Sequence, residues 1–558
     1  VNRSGETGAD LTVLGTSDTH CNVYNWDYYR DAEYDDDGQN DVGVAKVATL
    51  VNRIRAERLG RATLVLDAGD TIEGTPLATH YATHEPDGPH PMAAAMNVIG
   101  YDAVTLGNHE FDYGLPLLSR WIGQLDCPAL AANAVDPRTG LPAFRPFLVR
   151  DIGLGPGMPP LRVGILGLTN PGTAVWDRIH VEGRLRFLDM VTTAARWVPV
   201  IRLFRTDVVI VCSHGGDSGA SSYGPDLPSE NPSALIAERV PGIDAILFGH
   251  THLEVPQRVV TNRETGVPVL MSQPSCWGRR VTRMDFTLRR RRGRWRVVDR
   301  RATTLRTDGL PEDPAVLAAA REQHAATIAF VSQVIATSTV ELSTAESRYR
   351  ATPIIAFVNA VQTDAVAAAL DGGPHATLPV LSVTAPFSRT ASFPAGKVRI
   401  KDVAGLYTHD NPLEAVVLSG AEVRTYLEHS ARYFRRLAPG DPVDPDAISD
   451  PSLPDYNFDI MSGVDYDIDV SRPVGERITR LTRAGVEVDR VERFVVAVNS
   501  YRRSGGGNFP CVVRAPVFRA PQTIRQLLVE WARARGTIDP AEFFRPNWTL
   551  VCAGVPVF

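Results

Sequence analysis

Thr63-Leu-Val-Leu-Asp67-Ala-Gly69-Asp70 is a short apolar run that ends in two carboxylates spaced around a glycine. The pattern recurs through the first half of the chain. Leu11–Gly15 is followed by Asp18-Thr-His20, and Ala103–Leu106 by Gly107-Asn108-His109-Glu110. Val208–Cys212 precedes Ser213-His214-Gly215, and Ala245–Phe248 precedes Gly249-His250-Thr251-His252. A sixth run, Leu161–Leu168, carries no such cluster. Between the runs lie segments with apolar residues at helical spacing, such as Val44–Glu57. Strand–helix alternation of this kind predicts a layered α/β domain. In open α/β sheets the ligand crevice lies beyond the carboxyl ends of the strands. Five polar clusters at five such ends are therefore expected to converge on one crevice.

The side chains agree with that placement. The clusters supply Asp18, Asp67 and Asp70, one amide (Asn108) and five imidazoles (His20, His109, His214, His250, His252). Carboxylate, amide oxygen and imidazole together suit zinc, manganese or iron better than a thiolate-selective site. Two divalent ions need a shared carboxylate, and Asp70 is the natural candidate. Each piece alone has an ordinary reading: Asp18 and His20 as a surface pair, Asp70 as a helix N-cap, His214 as a core histidine. Five pieces in order, each after an apolar run, leave little room for that.

The ordered set Asp18-x-His20, Gly69-Asp70, Gly107-Asn108-His109-Glu110, His214 and Gly249-His250-x-His252 resembles the calcineurin-like metallophosphoesterase superfamily. The resemblance implies two divalent metal ions (Mn, Zn, Co or Fe). Asp18, His20 and His252 would hold one, Asn108, His214 and His250 the other, and Asp70 would bridge them. His109 would be no ligand. It would face the phosphate and leaving group, paired with Asp112.

A narrower resemblance covers nearly the whole chain. Asn25-Trp-Asp-Tyr-Tyr29, Asp70–Leu77, Leu378–Phe387, Tyr456-Asn-Phe-Asp459, Gly463–Tyr466 and Tyr501-Arg-x-x-Gly-Gly506 are similar to the 5'-nucleotidase family, in its bacterial branch acting on 2',3'-cyclic nucleotides and 3'-nucleotides. It implies an N-terminal metallophosphoesterase α/β sandwich, a linker helix, and an α+β C-terminal domain that holds the nucleobase, with the active site in the cleft between them. The base would stack between Tyr501 and the residue at His409, where the family has Tyr or Phe. Asn411 would make the neighbouring polar contact, and Phe387 and Arg389 would line the cleft. The function implied is hydrolysis of 2',3'-cyclic nucleotides to 3'-nucleotides and on to nucleosides. A 5'-nucleotidase or UDP-sugar hydrolase, a phosphoesterase for non-nucleotide esters, and a non-catalytic binding protein on the same scaffold are the alternatives. Export to the periplasm, cell surface or medium is also expected from the resemblance.

The rest of the chain sets bounds. At 558 residues it needs two or more domains. The expected division is 1–310, a linker helix within 311–335 (Pro311–Val334 reads as one helix), and 336–558. A net charge of -6 argues against a protein held on nucleic-acid polymer by bulk charge. The run Arg289–Arg294 lies between alternating apolar stretches and reads as a hairpin loop or an edge. The six cysteines form no CxxC motif, so neither a disulfide framework nor a thiolate zinc site is indicated, although Cys511 and Cys552 could pair. No run is expected to approach a membrane span, and a monomer is expected. Residues 31–41 are acidic, but the calcium-loop pattern that begins at Glu33 fails at its twelfth position, Val44. In the second half, Tyr501 with Arg502 and Arg503 precedes a glycine-rich turn that could present a flat ring and positive donors to a nucleotide.

Overall fold

The computed structural model describes residues 8–58, 61–155, 157–407, 409 and 411–558. Contacts divide the chain into two compact units, Val1–Ile328 and Ala329–Phe558.

The first unit is built on two six-stranded sheets. Its strands are β1 (Gly8–Thr16), β2 (Ala62–Asp67), β3 (Ala103–Thr105), β4 (Ala129–Leu130), β5 (Phe147–Ile152), β6 (Leu161–Leu168), β7 (Val208–Ser213), β8 (Ala245–Phe248), β9 (Glu254–Thr261), β10 (Pro268–Pro274), β11 (Arg280–Arg291) and β12 (Arg294–Arg306). The first sheet runs β12-β11-β1-β2-β3-β4 and the second β9-β10-β8-β7-β6-β5. β1 to β4 are mutually parallel, as are β6, β7, β8 and β10.

Side-chain alternation along each strand explains the layering. Leu11, Val13, Leu64 and Leu66 point into one core with Ile165, Val208, Ile210 and Leu247 of the other sheet. Their neighbours Leu14, Val65 and Val104 point the opposite way, under helix α1 (Val44–Glu57) and α2 (Gly114–Gln124). Val209, Val211 and Ile246 likewise pack under α3 (Met190–Leu203) and α4 (Ser233–Arg239). The result is a four-layer α/β/β/α sandwich whose strand ends carry the polar clusters.

The arginine run is the tip of the β11–β12 hairpin, turning at Arg292 and Gly293, both left-handed (φ 49° and 80°). Residues 31–41 are tied locally: the Asp36 carboxylate accepts from Gly38 and Asn40 and pairs with Arg279. Pro311–Val334 is two helices, not one. Asp313 caps α5 (Pro314–Ala319), and the chain turns at Ala320 (φ −119°, ψ 14°) before α6 (Arg321–Val331). Val316 and Ala320 are both buried in the helical layer of the first unit. That packing overrides the helix propensity of the alanine-rich stretch.

The second unit contains a five-stranded sheet and flanking helices. In chain order its strands are β13 (Val380–Thr384), β14 (Pro412–Ser419), β15 (Ile460–Ser462), β16 (Arg493–Asn499) and β17 (Phe518–Thr523), arranged β15-β13-β16-β14-β17. Helix α7 (Pro353–Leu370) packs against β13 with Ile354, Phe357, Val358 and Val361 in the core. α7 has 18 residues and a mean hydropathy of 1.5, so one segment does meet the length and composition of a membrane span. Its hydrophobicity serves the core of this unit, which explains the apolar run. All six cysteines are free.

Candidate metal centre and base-binding residues

Asp18 and His20 follow β1, Asp70 follows β2, and Asn108 and His109 follow β3; His214 follows β7, and His250 and His252 follow β8. Loops from both sheets therefore meet at their carboxyl ends. Asp18, His20, Asp70, His250 and His252 all have left-handed backbones, with φ of 53°, 48°, 59°, 79° and 58°. Non-glycine residues rarely adopt this conformation, and such strain concentrates at functional sites.

Cross-links hold the loops together. The buried Glu110 carboxylate accepts from the backbone N–H of Asp70 (2.9 Å), Thr71 (2.5 Å) and Gly107 (2.5 Å). Asp70 Oδ1 accepts from His109 N–H (2.9 Å). Asp18 accepts from His250 N–H with both oxygens (3.0 Å), joining the two sheets' loops. Gly69 (φ 105°) must be glycine, since a Cβ there would sit 2.5 Å from Gly107 N and 2.8 Å from His214 Nδ1.

The side chains gather into three groups, each with potential ligand atoms within 4.8 Å of one another: Asp18/His20/His252, Asp70/His214/His250 and Glu73/His109/Asp112. His20 Nε2 and His252 Nε2 face each other at 3.0 Å. Asp70 Oδ2 lies 2.9 Å from His214 Nε2 and 3.9 Å from His20 Nε2, between the first two groups. The ring nitrogens turned away from this centre are spoken for. His214 Nδ1–H donates to the Ala68 carbonyl (2.8 Å) and His20 Nδ1–H to the Glu73 carbonyl (3.1 Å). That leaves both Nε2 lone pairs directed inward, the usual device for orienting metal-binding imidazoles.

This donor set fits a pair of divalent ions. Asn108 Oδ1 is buried without a hydrogen-bond partner, a costly state unless another group completes it. Burial works against a charged His214 ring, yet the Asp70 carboxylate outweighs it and pushes the ring up to about 9. Burial also opposes charge on His20, where Glu73 and Asp70 win and raise it. A site with this negative field calls for positive charge, and carboxylate, amide and imidazole ligands match hard-to-borderline cations.

His109 stands apart from both metal trios. Its Nδ1 lies 2.8 Å from Asp112 Oδ2 and 3.3 Å from Glu73 Oε2. Burial disfavours the charged ring, but Asp112, Asp70 and Glu73 together hold its pKa well above the ordinary histidine value. Glu73 was not singled out in the sequence. It lies in the loop after Asp70, and no spacing rule points to it. Glu230, 20 residues before His250 in the sequence, was also missed; its Oε1 is 2.7 Å from His250 Nε2.

In the second unit, Asn499 at the end of β16 caps the short helix α8 (Ser500–Arg503). The Tyr501 ring packs against Gly506, where any Cβ would collide with it. Arg502 and Arg503 do not offer free donors, contrary to the sequence reading. Arg502 is buried against Asp459 (2.8 and 3.1 Å) and also donates to the Asn457 side chain and the Tyr456 carbonyl. Arg503 is buried against Glu414. They anchor the loop that presents Tyr501. Phe387 packs on Tyr407 (4.5 Å between centroids) and on His409 (5.4 Å), and His409 lies 6.4 Å from Tyr456. Tyr456 is a further exposed ring beside His409 that the sequence reading gave no role. Arg389 makes a two-pronged ion pair with Asp455 (2.6 and 2.9 Å), which commits two of its nitrogens. Asn411 is half-buried and its side chain meets the Tyr407 hydroxyl. Thr408 and Asp410, beside His409, lie outside the described residues.

Comparisons with known proteins agree with this architecture. Residues 11–254 match the calcineurin-like phosphoesterase family model, and residues 334–514 match that of the 5'-nucleotidase C-terminal domain. The 2',3'-cyclic-nucleotide 2'-phosphodiesterase/3'-nucleotidase of Salmonella typhimurium is 32% identical, over 97% of this chain and 89% of that protein. The trifunctional nucleotide phosphoesterase YfkN of Bacillus subtilis is 30% identical over 97% of this chain, which spans only 39% of that longer protein. The crystal structure of a 5'-nucleotidase precursor from Thermus thermophilus superposes with a TM-score of 0.65 at 24% identity, covering 97% of this chain and 99% of that one, a likeness of fold. With both halves matched in order and a relative aligned along nearly its whole length, the chain belongs to the 5'-nucleotidase family of calcineurin-like metallophosphoesterases.

Proposed function

We propose that this chain hydrolyses nucleotide phosphate esters, opening 2',3'-cyclic nucleotides to 3'-nucleotides and then removing the 3'-phosphate. The observation that carries this reading is the pair of trios, Asp18/His20/His252 and Asp70/His214/His250, meeting around Asp70 Oδ2 with the His109–Asp112 pair beside them. The Salmonella relative supports the substrate class. Asp18, His20 and His252 would hold one divalent ion, Asn108, His214 and His250 a second, and Asp70 both. Bound there, the ions supply Lewis-acid polarisation of the phosphate and compensate charge developing in the transition state. The identity of the metal is proposed from the donors alone: manganese, zinc, cobalt or iron.

The chain's own groups do the proton work. Asp112 accepts from His109 Nδ1–H and fixes the ring, leaving Nε2 as the second proton site. The surrounding carboxylates raise the ring's pKa above the ordinary histidine value, which suits His109 to hand a proton to the departing ribose oxygen. In the second unit, Tyr501, packed against Gly506, would stack one face of the base. His409, flanked by Phe387 and Tyr456, would meet it more weakly. Asn411 and Arg389 would sit nearby, Arg389 positioned through Asp455. Export of the protein is part of the proposal, supported by family membership. The test is a panel of 2',3'-cyclic AMP, 3'-AMP, 5'-AMP, UDP-glucose and a chromogenic phosphodiester. Turnover of the first two above the rest supports the reading, and preference for 5'-AMP or UDP-glucose refutes the cyclic-nucleotide assignment.

A further inference from the structure

His250 is held from two sides. Its Nε2 lies 2.7 Å from Glu230 Oε1, and the Trp176 ring stacks on its face with centroids 5.4 Å apart and planes at 26°. Glu230 is itself fully engaged. Its N–H donates to Ser221 Oγ (3.1 Å) and its carbonyl accepts from Asn170 Nδ2 (3.2 Å). Its second carboxylate oxygen, Oε2, accepts the Ser222 N–H (2.5 Å). The side chain is buried, with 9% of its surface exposed. An anionic carboxylate has only lone pairs to offer, so the proton between Glu230 and His250 must sit on His250 Nε2. With Nε2 engaged by Glu230, Nδ1 is the nitrogen left for the Asp70/His214 group. The left-handed backbone of His250 (φ 79°) is consistent with a ring held in place by such restraints.

We propose that Glu230 is the positioning residue of the second metal site, fixing His250 in the Nε2–H tautomer so that Nδ1 serves as ligand. The inference rests on the reading above that His250 binds a metal, and goes beyond it by assigning the residue that selects the ligating nitrogen. Glu230→Gln is the informative variant because it is isosteric. If its oxygen faces His250, its NH2 is driven against Ser222 N–H, donor to donor. If its NH2 faces His250, the Nε2–H donor must give way, and the proton moves to Nδ1, where it blocks the metal. Either way the second site is damaged without loss of volume. Loss of an outer partner of this kind costs about 10–100-fold in metal affinity.

The experiment compares wild type, Glu230→Gln, Glu230→Asp and Tyr223→Phe, the last a control in the same loop whose hydroxyl donates to the Pro228 carbonyl (2.8 Å). Metal content per folded chain is measured by mass spectrometry across a series of buffered free zinc concentrations. Melting temperatures are recorded with and without chelator. Glu230→Gln is expected to keep one ion and to need about 10–100-fold more free zinc for the second. Glu230→Asp, which keeps the carboxylate, should fall between, and Tyr223→Phe should hold both ions. Wild-type affinity for both ions in Glu230→Gln overturns the proposal. So does a drop in melting temperature in chelator with full metal content in the folded fraction, which would make Glu230 a structural tie only. A wild-type chain that takes up no zinc at all would instead remove the metal reading on which the proposal stands.

Discussion

Asp112 Oδ2 accepts from His109 Nδ1 at 2.8 Å, three residues apart on one turn, and this contact sets the orientation of the one imidazole of the five in the polar clusters that belongs to neither candidate metal trio. Asp112→Asn keeps the shape and removes the charge that raises the pKa of the ring. It should lower kcat about 10²–10⁴-fold, the usual contribution of a positioned general acid, with metal content unchanged. Steady-state kinetics with metal analysis on the same preparation checks both halves. His109→Asn should behave alike, and loss of metal from either variant would place His109 among the ligands.

Asp70 is the opposite case. Its Oδ2 sits between His214 Nε2 (2.9 Å) and His20 Nε2 (3.9 Å). Asp70→Asn is expected to lose metal from both sites, measured as ions per chain. Full occupancy with slow turnover would show that Asp70 does not bridge.

Tyr501→Ala should raise KM for nucleotides and leave a small chromogenic phosphodiester unaffected. Base stacking on an aromatic ring contributes about 1–3 kcal/mol, so an increase of roughly 5- to 150-fold is expected. His409→Ala should do less, since its ring is smaller and exposed. Kinetics on both substrates with melting temperatures separates this from simple destabilisation, in which both activities fall together.

Much of this was legible in the sequence because the signals are local. Leu161–Leu168 and Ala245–Phe248 are strands with those bounds, and Val44–Glu57 is a helix with those bounds. The polar clusters could be placed because a strand end is read from the residues beside it. What could not be read depends on partners distant in the chain. Glu230 reaches His250 only after a loop folds back, and Glu73 reaches His109 across two strand connections. Arg502 and Arg503 look like free cations until Asp459, just before β15, and Glu414, on β14, come in from elsewhere in the chain. The break at Ala320 is invisible for the same reason, since local propensity favours one helix and only packing on the first unit interrupts it.

His90 gives the first unit a measurable acid sensitivity. It is buried, its Nδ1 accepts from Met92 N–H (3.1 Å) at a helix start, and burial pulls its pKa down to about 3. The unfolded chain takes that proton near pH 6.5. The contribution to stability is therefore complete above pH 6.5 and is lost as pH falls from there toward 3. At pH 5 the loss is about 2 kcal/mol. His90→Asn keeps an acceptor without a titrating ring, so its melting temperature should fall less between pH 7 and 5 than that of wild type. Parallel pH profiles would rule out His90 as the source.

The most direct test of the two-metal account is to strip the protein with a chelator, confirm metal removal by mass spectrometry, and assay 2',3'-cyclic AMP before and after adding back manganese, zinc or cobalt in measured steps. The account expects no turnover in the stripped protein and recovery that saturates as two ions bind per chain. Turnover that survives confirmed removal of metal, or recovery complete with a single ion, would contradict it.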